Sequence, residues 1–154
     1  MITCAVPREI KSLNEGFDEN YASNHNRSMV LPELGHFIRT FAARTNLSHL
    51  TVVVSLIYMD RLKRILPHNA HGETGTQHRL FVAASLSASK FLHDISSLSA
   101  RMVAYACRGL FTLSEISRME FEFLRLINYQ LHVTKRDIEL HLKQHDCLFF
   151  KGKQ

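Results

Sequence analysis

The sequence predicts an all-α fold: a bundle of five main helices with one or two short accessory ones and no strands. Three observations carry this. Six glycines and three prolines in 154 residues are too few for a turn-rich β architecture. Apolar residues recur at helical spacing through every segment from residue 31 onward. Two side-chain capping patterns, Thr112 with Glu115 and Thr134 with Asp137, stand in front of periodic runs.

Residues 1–28 are polar and aperiodic, and read as an arm with room for one short helix. The first helix follows in "LPELGHFIRTFAART", where Leu34, Phe37, Ile38 and Phe41 fall on one face and Pro32 suits a first turn. Ser48 is placed to cap the next helix, "HLTVVVSLIYMDRLKRIL". Its valines favour strands, but its length decides for helix. Leu50, Val53, Val54, Ile57, Arg61 and Leu62 form one face, and Val52, Leu56, Met59 and Leu66 lie elsewhere. A helix apolar nearly all round belongs in the centre of the fold. Pro67, Gly72 and Gly75 then break the chain, and Thr76 is placed to cap "QHRLFVAASLSASKFLHD". Alanines and serines fill the middle of that helix, so neighbours can approach it closely. "LSARMVAYACRG" reads as a short helix ending near Gly109. Behind Thr112 runs a helix with an apolar stripe of Ile116, Met119, Phe123, Leu124, Ile127 and, beyond it, Leu131. "TKRDIELHLKQH" closes the set.

Charge and cysteines narrow the function classes. The net charge of +5 is modest and scattered. The one basic run, "DRLKR" (Asp60 to Arg64), reads as the solvated end of a helix, where cations suit the dipole. Its alternative reading, a nucleic-acid patch, would call for dense one-sided Lys and Arg, which the sequence lacks. Cys4, Cys107 and Cys147 are odd in number and far apart, which fits a reducing compartment, cytoplasm or nucleus or both. No signal peptide or membrane span is expected. Two N-x-S sequons, at Asn26 and Asn46, then read as chance matches.

Candidate chemistry is sparse. His141 and His145 share a helix face, with Cys147 close by, but "HLKQH" lacks the glutamate of H-E-x-x-H and reads as an exposed tail helix rather than a metal site. His68, His71 and His78 read as a surface loop. No nucleophile elbow surrounds Ser85, Ser87 or Ser89, and no glycine-rich phosphate loop is present. The expectation is a helical binding module with no catalytic residue, cofactor, metal or small-molecule substrate. Two charges stand out. Lys90 follows the small-residue core of one helix, and Glu120 sits beside Met119 on another. From spacing alone each is either a rim charge or a group held for a partner.

Three stretches resemble one family: "IYMDRLKRILP", "TQHRLFVAASLSASKFLHD" and "GLFTLSEISRMEFEFLRLINYQL" look like the cyclin box of the fungal Pcl-type cyclins. The resemblance divides the chain into an arm (1–28), a five-helix cyclin box with short accessory helices at its ends (29–145) and a tail (146–154). It implies a regulatory subunit that binds and activates a cyclin-dependent kinase of the fungal phosphate and polarity pathways by positioning the kinase αC helix. It assigns kinase binding to Lys90 and Glu120, with Phe91, Leu124, Tyr129 and Leu131 as apolar surroundings. Two positions depart from the family pattern. Met102 stands where a tryptophan is frequent, and Ser87 occupies a kinase-facing spot that is often apolar. The substrate-docking motif of mitotic cyclins is absent from the first helix. The runner-up is a cyclin-fold adaptor in a transcription or nucleic-acid-associated complex. For the cyclin reading neither a membrane nor a nucleic acid is expected as partner.

Overall fold

The computed structural model describes residues 30–149, with side chains described as far as residue 145. The expected arm lies outside the described residues, and so do the side chains of the expected tail. Among the described residues there are six helices and no strand: α1 Leu34–Thr45, α2 His49–Ile65, α3 Thr76–Leu92, α4 Ala100–Ala106, α5 Leu113–Leu126 and α6 Lys135–Phe149.

The fold is organised around α3. Every residue from Phe81 to Ser89 is buried. Alanine and serine there keep the helix thin, so α2 and α5 pack along it on two sides and α1 and α4 close the remainder. Ser87, expected to face a kinase, is instead interior, because it belongs to this thin stripe. Larger side chains fill the spaces that remain. Phe41 stacks on Phe37 at 5.9 Å and meets Phe81 edge-on at 5.8 Å. From α5 come Ile116, Met119 and Phe123, three of the expected stripe, with Ile127 just beyond the helix.

Caps set most of the helix starts. Ser48 accepts from the Thr51 amide, Ser99 from Met102, and Thr112 and Glu115 satisfy each other's amides in a full capping box. Thr134 and Asp137 do the same at α6; the Thr134 amide and hydroxyl both donate to the Asp137 carboxylate, which holds its pKa below the usual range. Two starts differ from expectation. Helix α1 begins at Leu34 rather than around Pro32, because the Glu33 carboxylate accepts from the amides of Gly35 and His36 and fixes the boundary there. Helix α3 is preceded by Gly75, not capped by Thr76. Gly75 has φ +90, and a Cβ on it would lie 2.9 Å from Leu31. Both the backbone angle and the close neighbour call for glycine.

The buried face of α2 is also rotated from the expected one. Thr51, Ser55 and Tyr58 are buried beside Val54, Ile57 and Leu62, while Leu50 is exposed. Small polar groups made this face hard to read. The Ser55 hydroxyl is satisfied within the helix by donating to the Thr51 carbonyl at 2.6 Å, which lets it enter the core. His78, expected in a surface loop, is buried, and its Nε2 lies 2.8 Å from the Pro32 carbonyl.

Helix α6 is not an exposed tail helix, because its His141 face lies on α2. His141 is 6% exposed, and its Nδ1 lies 3.1 Å from the Asp60 carboxylate. Burial holds the His141 imidazole below its ordinary pKa; Asp60 pulls it up and His145 pushes it further down.

Candidate functional site

Lys90 ends the buried stretch of α3. It lies in the last turn, where the negative end of the helix dipole favours a cation. Its ammonium does not stand alone. Nζ lies 2.7 Å from Oε2 of Glu120, midway along α5. The lysine side chain is 47% exposed and the glutamate side chain 13%. The pair thus joins the end of α3 to the middle of α5, with the glutamate side chain largely enclosed and the lysine side chain half in solvent. Two groups read from the sequence as waiting for a partner already partner each other.

The surroundings are apolar and partly exposed. Phe91, next to Lys90, is 43% exposed. Leu124, one turn after Glu120, is half-buried. Tyr129 is 57% exposed just past the end of α5. Leu131 is turned inward and packs against the core cluster, so it contributes less surface than expected. Phe121 was not nominated from the sequence. It is 55% exposed beside Glu120, with the Arg125 guanidinium 5.9 Å from its ring centroid. Its signal was legible as a large aromatic off the buried stripe of α5. Met102 is exposed on α4.

The segment carrying Tyr129 and Leu131 is held from behind by α2. The Tyr58 hydroxyl donates to the Leu131 carbonyl at 2.8 Å. Arg61 donates through its two terminal nitrogens to the carbonyls of Gln130 and His132. This is the structural use of Tyr58 and Arg61 in the stretch "IYMDRLKRILP", since they satisfy three carbonyls of irregular chain. Burial pushes the Tyr58 phenol up to about 12, so it stays a neutral donor across the ordinary pH range. The turn itself is strained. Asn128 and Tyr129 have φ +51 and +54, the left-handed region, which asparagine tolerates and tyrosine enters only at a cost. The bond from the Tyr129 amide to the Leu124 carbonyl closes the helix end there. Tyr129 therefore projects from an anchored turn rather than from a loose loop.

The arrangement is an ion pair between two packed helices, with half-exposed aromatics next to its members in the chain and Tyr129 on the anchored turn past α5. The comparisons with known proteins agree with the fold. The cyclin family model matches residues 20–131. The chain is 39% identical over 113 residues to PHO85 cyclin-1 of Saccharomyces cerevisiae, covering 73% of this chain and 40% of that protein. It is 29% identical to PHO85 cyclin-9 of the same yeast, covering 70% of this chain and 35% of that protein. It is 32% identical to cyclin-P2-1 of Oryza sativa subsp. japonica, covering 64% and 43%. The chain thus spans less than half the length of these relatives. No solved structure matches it significantly. A family match over most of the described bundle, with the expected helices in the expected order, leads to one conclusion: the chain belongs to the cyclin family and is of the Pcl type that the PHO85 cyclins represent.

Proposed function

We infer that this chain is a regulatory subunit that binds a cyclin-dependent protein kinase through the Lys90–Glu120 pair, Phe91, Phe121, Leu124 and Tyr129. The observation that carries the reading is the ion pair itself. It joins two packed helices, and the aromatics next to its members in the chain, Phe91 and Phe121, are about half exposed and stand outside the core cluster. Exposed aromatics supply affinity at such a surface, and a fixed pair of charges supplies register. The names of the yeast relatives make a PHO85-type kinase the first one to try.

The mechanism is a shift of population. An active kinase needs its αC glutamate paired with its β3 lysine. A partner that binds only that placement draws the kinase toward it without supplying a catalytic group. The chain then acts as a regulator and not as an enzyme, and it works where such kinases work, in the cytoplasm, the nucleus or both. The test is an activity assay of a purified PHO85-type kinase with and without this chain. Activation by the chain, reduced in Lys90→Ala and Glu120→Ala, is expected. A kinase whose activity does not respond to the unaltered chain would overturn the reading.

A further inference from the structure

The face where α6 lies on α2 carries a second cluster of chemistry, separate from the docking surface. His141 and His145 are one helical turn apart on α6, so their rings share a face, with centroids 4.5 Å apart. Asp60 of α2 projects toward both. Its Oδ2 lies 3.1 Å from His141 Nδ1 and 3.9 Å from His145 Nε2. The three donor atoms all fall within 4.8 Å of one another. A tetrahedral zinc with bonds of about 2.0–2.1 Å sets neighbouring ligand atoms roughly 3.3 Å apart. The two separations to Asp60 bracket that value, and the two histidine nitrogens, within 4.8 Å of each other, must draw together by up to about 1.5 Å to complete the tetrahedron.

We propose that Asp60, His141 and His145 form a site for Zn²⁺ or a similar borderline divalent transition metal, clamping α6 to α2. The donor set selects the class. Two imidazoles and one carboxylate suit zinc. Calcium and magnesium ask for shells of oxygen ligands, and copper(I) for sulfur. The sequence offered the two histidines at helical spacing, with Cys147 close by; packing of α6 on α2 brings Asp60 to the histidines as a third ligand.

One further observation supports a site. The three residues line a cleft of about 730 Å³ between α2, α6 and the start of α3, so an ion reaches them without the helices parting. With three protein ligands, the fourth position of the tetrahedron is open to a water from that cleft.

The experiment uses the full chain with no histidine tag and zinc chloride as the probe. Calorimetric titration gives stoichiometry and affinity, and a thermal melt with and without zinc gives the shift in Tm. One equivalent of zinc is expected, with a rise in Tm that grows with zinc concentration, as for any ligand of the folded state. Asp60→Asn and His145→Gln keep the shape and remove a ligand. Zinc affinity should fall at least tenfold in each, the lower end of roughly 10–100-fold for losing even an outer-sphere partner, and the Tm rise should vanish. His145 is about one-third exposed, so its variant carries the test alone if Asp60→Asn fails to fold. Absence of stoichiometric binding, or equal binding by the folded variants, would overturn the proposal and leave an Asp–His contact that needs no ion.

Discussion

The Lys90–Glu120 pair is asymmetric, and the asymmetry has consequences for stability. The Glu120 side chain is mostly enclosed and the Lys90 side chain half exposed. An exposed ion pair contributes only about 0.2–1 kcal/mol. Removing the lysine does more than lose the pair, since it leaves an enclosed carboxylate without its partner. Lys90→Ala should therefore destabilise the isolated chain by about 1–3 kcal/mol, and Glu120→Ala by less than about 1 kcal/mol. Denaturant unfolding of the two variants measures the difference, and equal losses would mean that Glu120 is better solvated than its enclosure indicates. Tyr129 poses the opposite trade. Its φ of +54 costs roughly 1–2 kcal/mol for a residue with a Cβ. Tyr129→Gly removes that strain but adds backbone freedom to the unfolded chain, worth roughly 0.5–1 kcal/mol. The net expectation is a gain in stability of up to about 1 kcal/mol with weaker kinase binding. A variant that binds as well as the unaltered chain would remove Tyr129 from the docking surface.

At the scale of the element, caps and stripes were legible and partnerships were not. Ser48, Thr112 and Thr134 mark helix starts because their side chains bond amides two or three residues on, a purely local event. Glu33 hid its cap, because glutamate is not among the residues that favour that position. The thin centre of α3 was legible from composition, and the buried face of α2 was not, since Thr51 and Ser55 enter the core only with their hydroxyls satisfied. Lys90 and Glu120 were nominated by resemblance, but their pairing depends on how α3 meets α5. His141 and Asp60 meet only through the packing of α6 on α2, which no local pattern announces. Two buried acids make the packing sensitive to alkali. Burial raises the Cys107 thiol, just after α4, from 9.0 to about 12, and the Tyr58 phenol on α2 from 10.0 to about 12. Both give up their protons more readily in the unfolded chain. Their contribution is therefore fully present below pH 9 and is lost as pH rises toward about 12. Denaturant melts from below pH 9 upward should show falling stability, and Tyr58→Phe with Cys107→Ala should flatten that fall.

Across the whole molecule, the interior serves packing and the surface around Lys90 is left free of it. The small-residue helix α3 draws its neighbours inward, and Tyr58 and Arg61 anchor the chain beyond α5. What those elements leave at the surface is the Lys90–Glu120 pair and the half-exposed Phe91, Phe121 and Tyr129. If that surface holds a kinase, the same charges matter far more in the complex than in the free chain. Truncating one partner of a desolvated charge pair at an interface costs about 2–5 kcal/mol, or roughly 30-fold or more in affinity. Glu120→Ala is the cleaner probe, because it costs the isolated chain little. The decisive measurement is the calorimetric affinity of the unaltered chain and of Glu120→Ala for a purified PHO85-type kinase, beside denaturant unfolding of both chains. The account predicts a loss of affinity of at least roughly 30-fold with nearly unchanged unfolding. Unchanged affinity in a folded Glu120→Ala chain would contradict it.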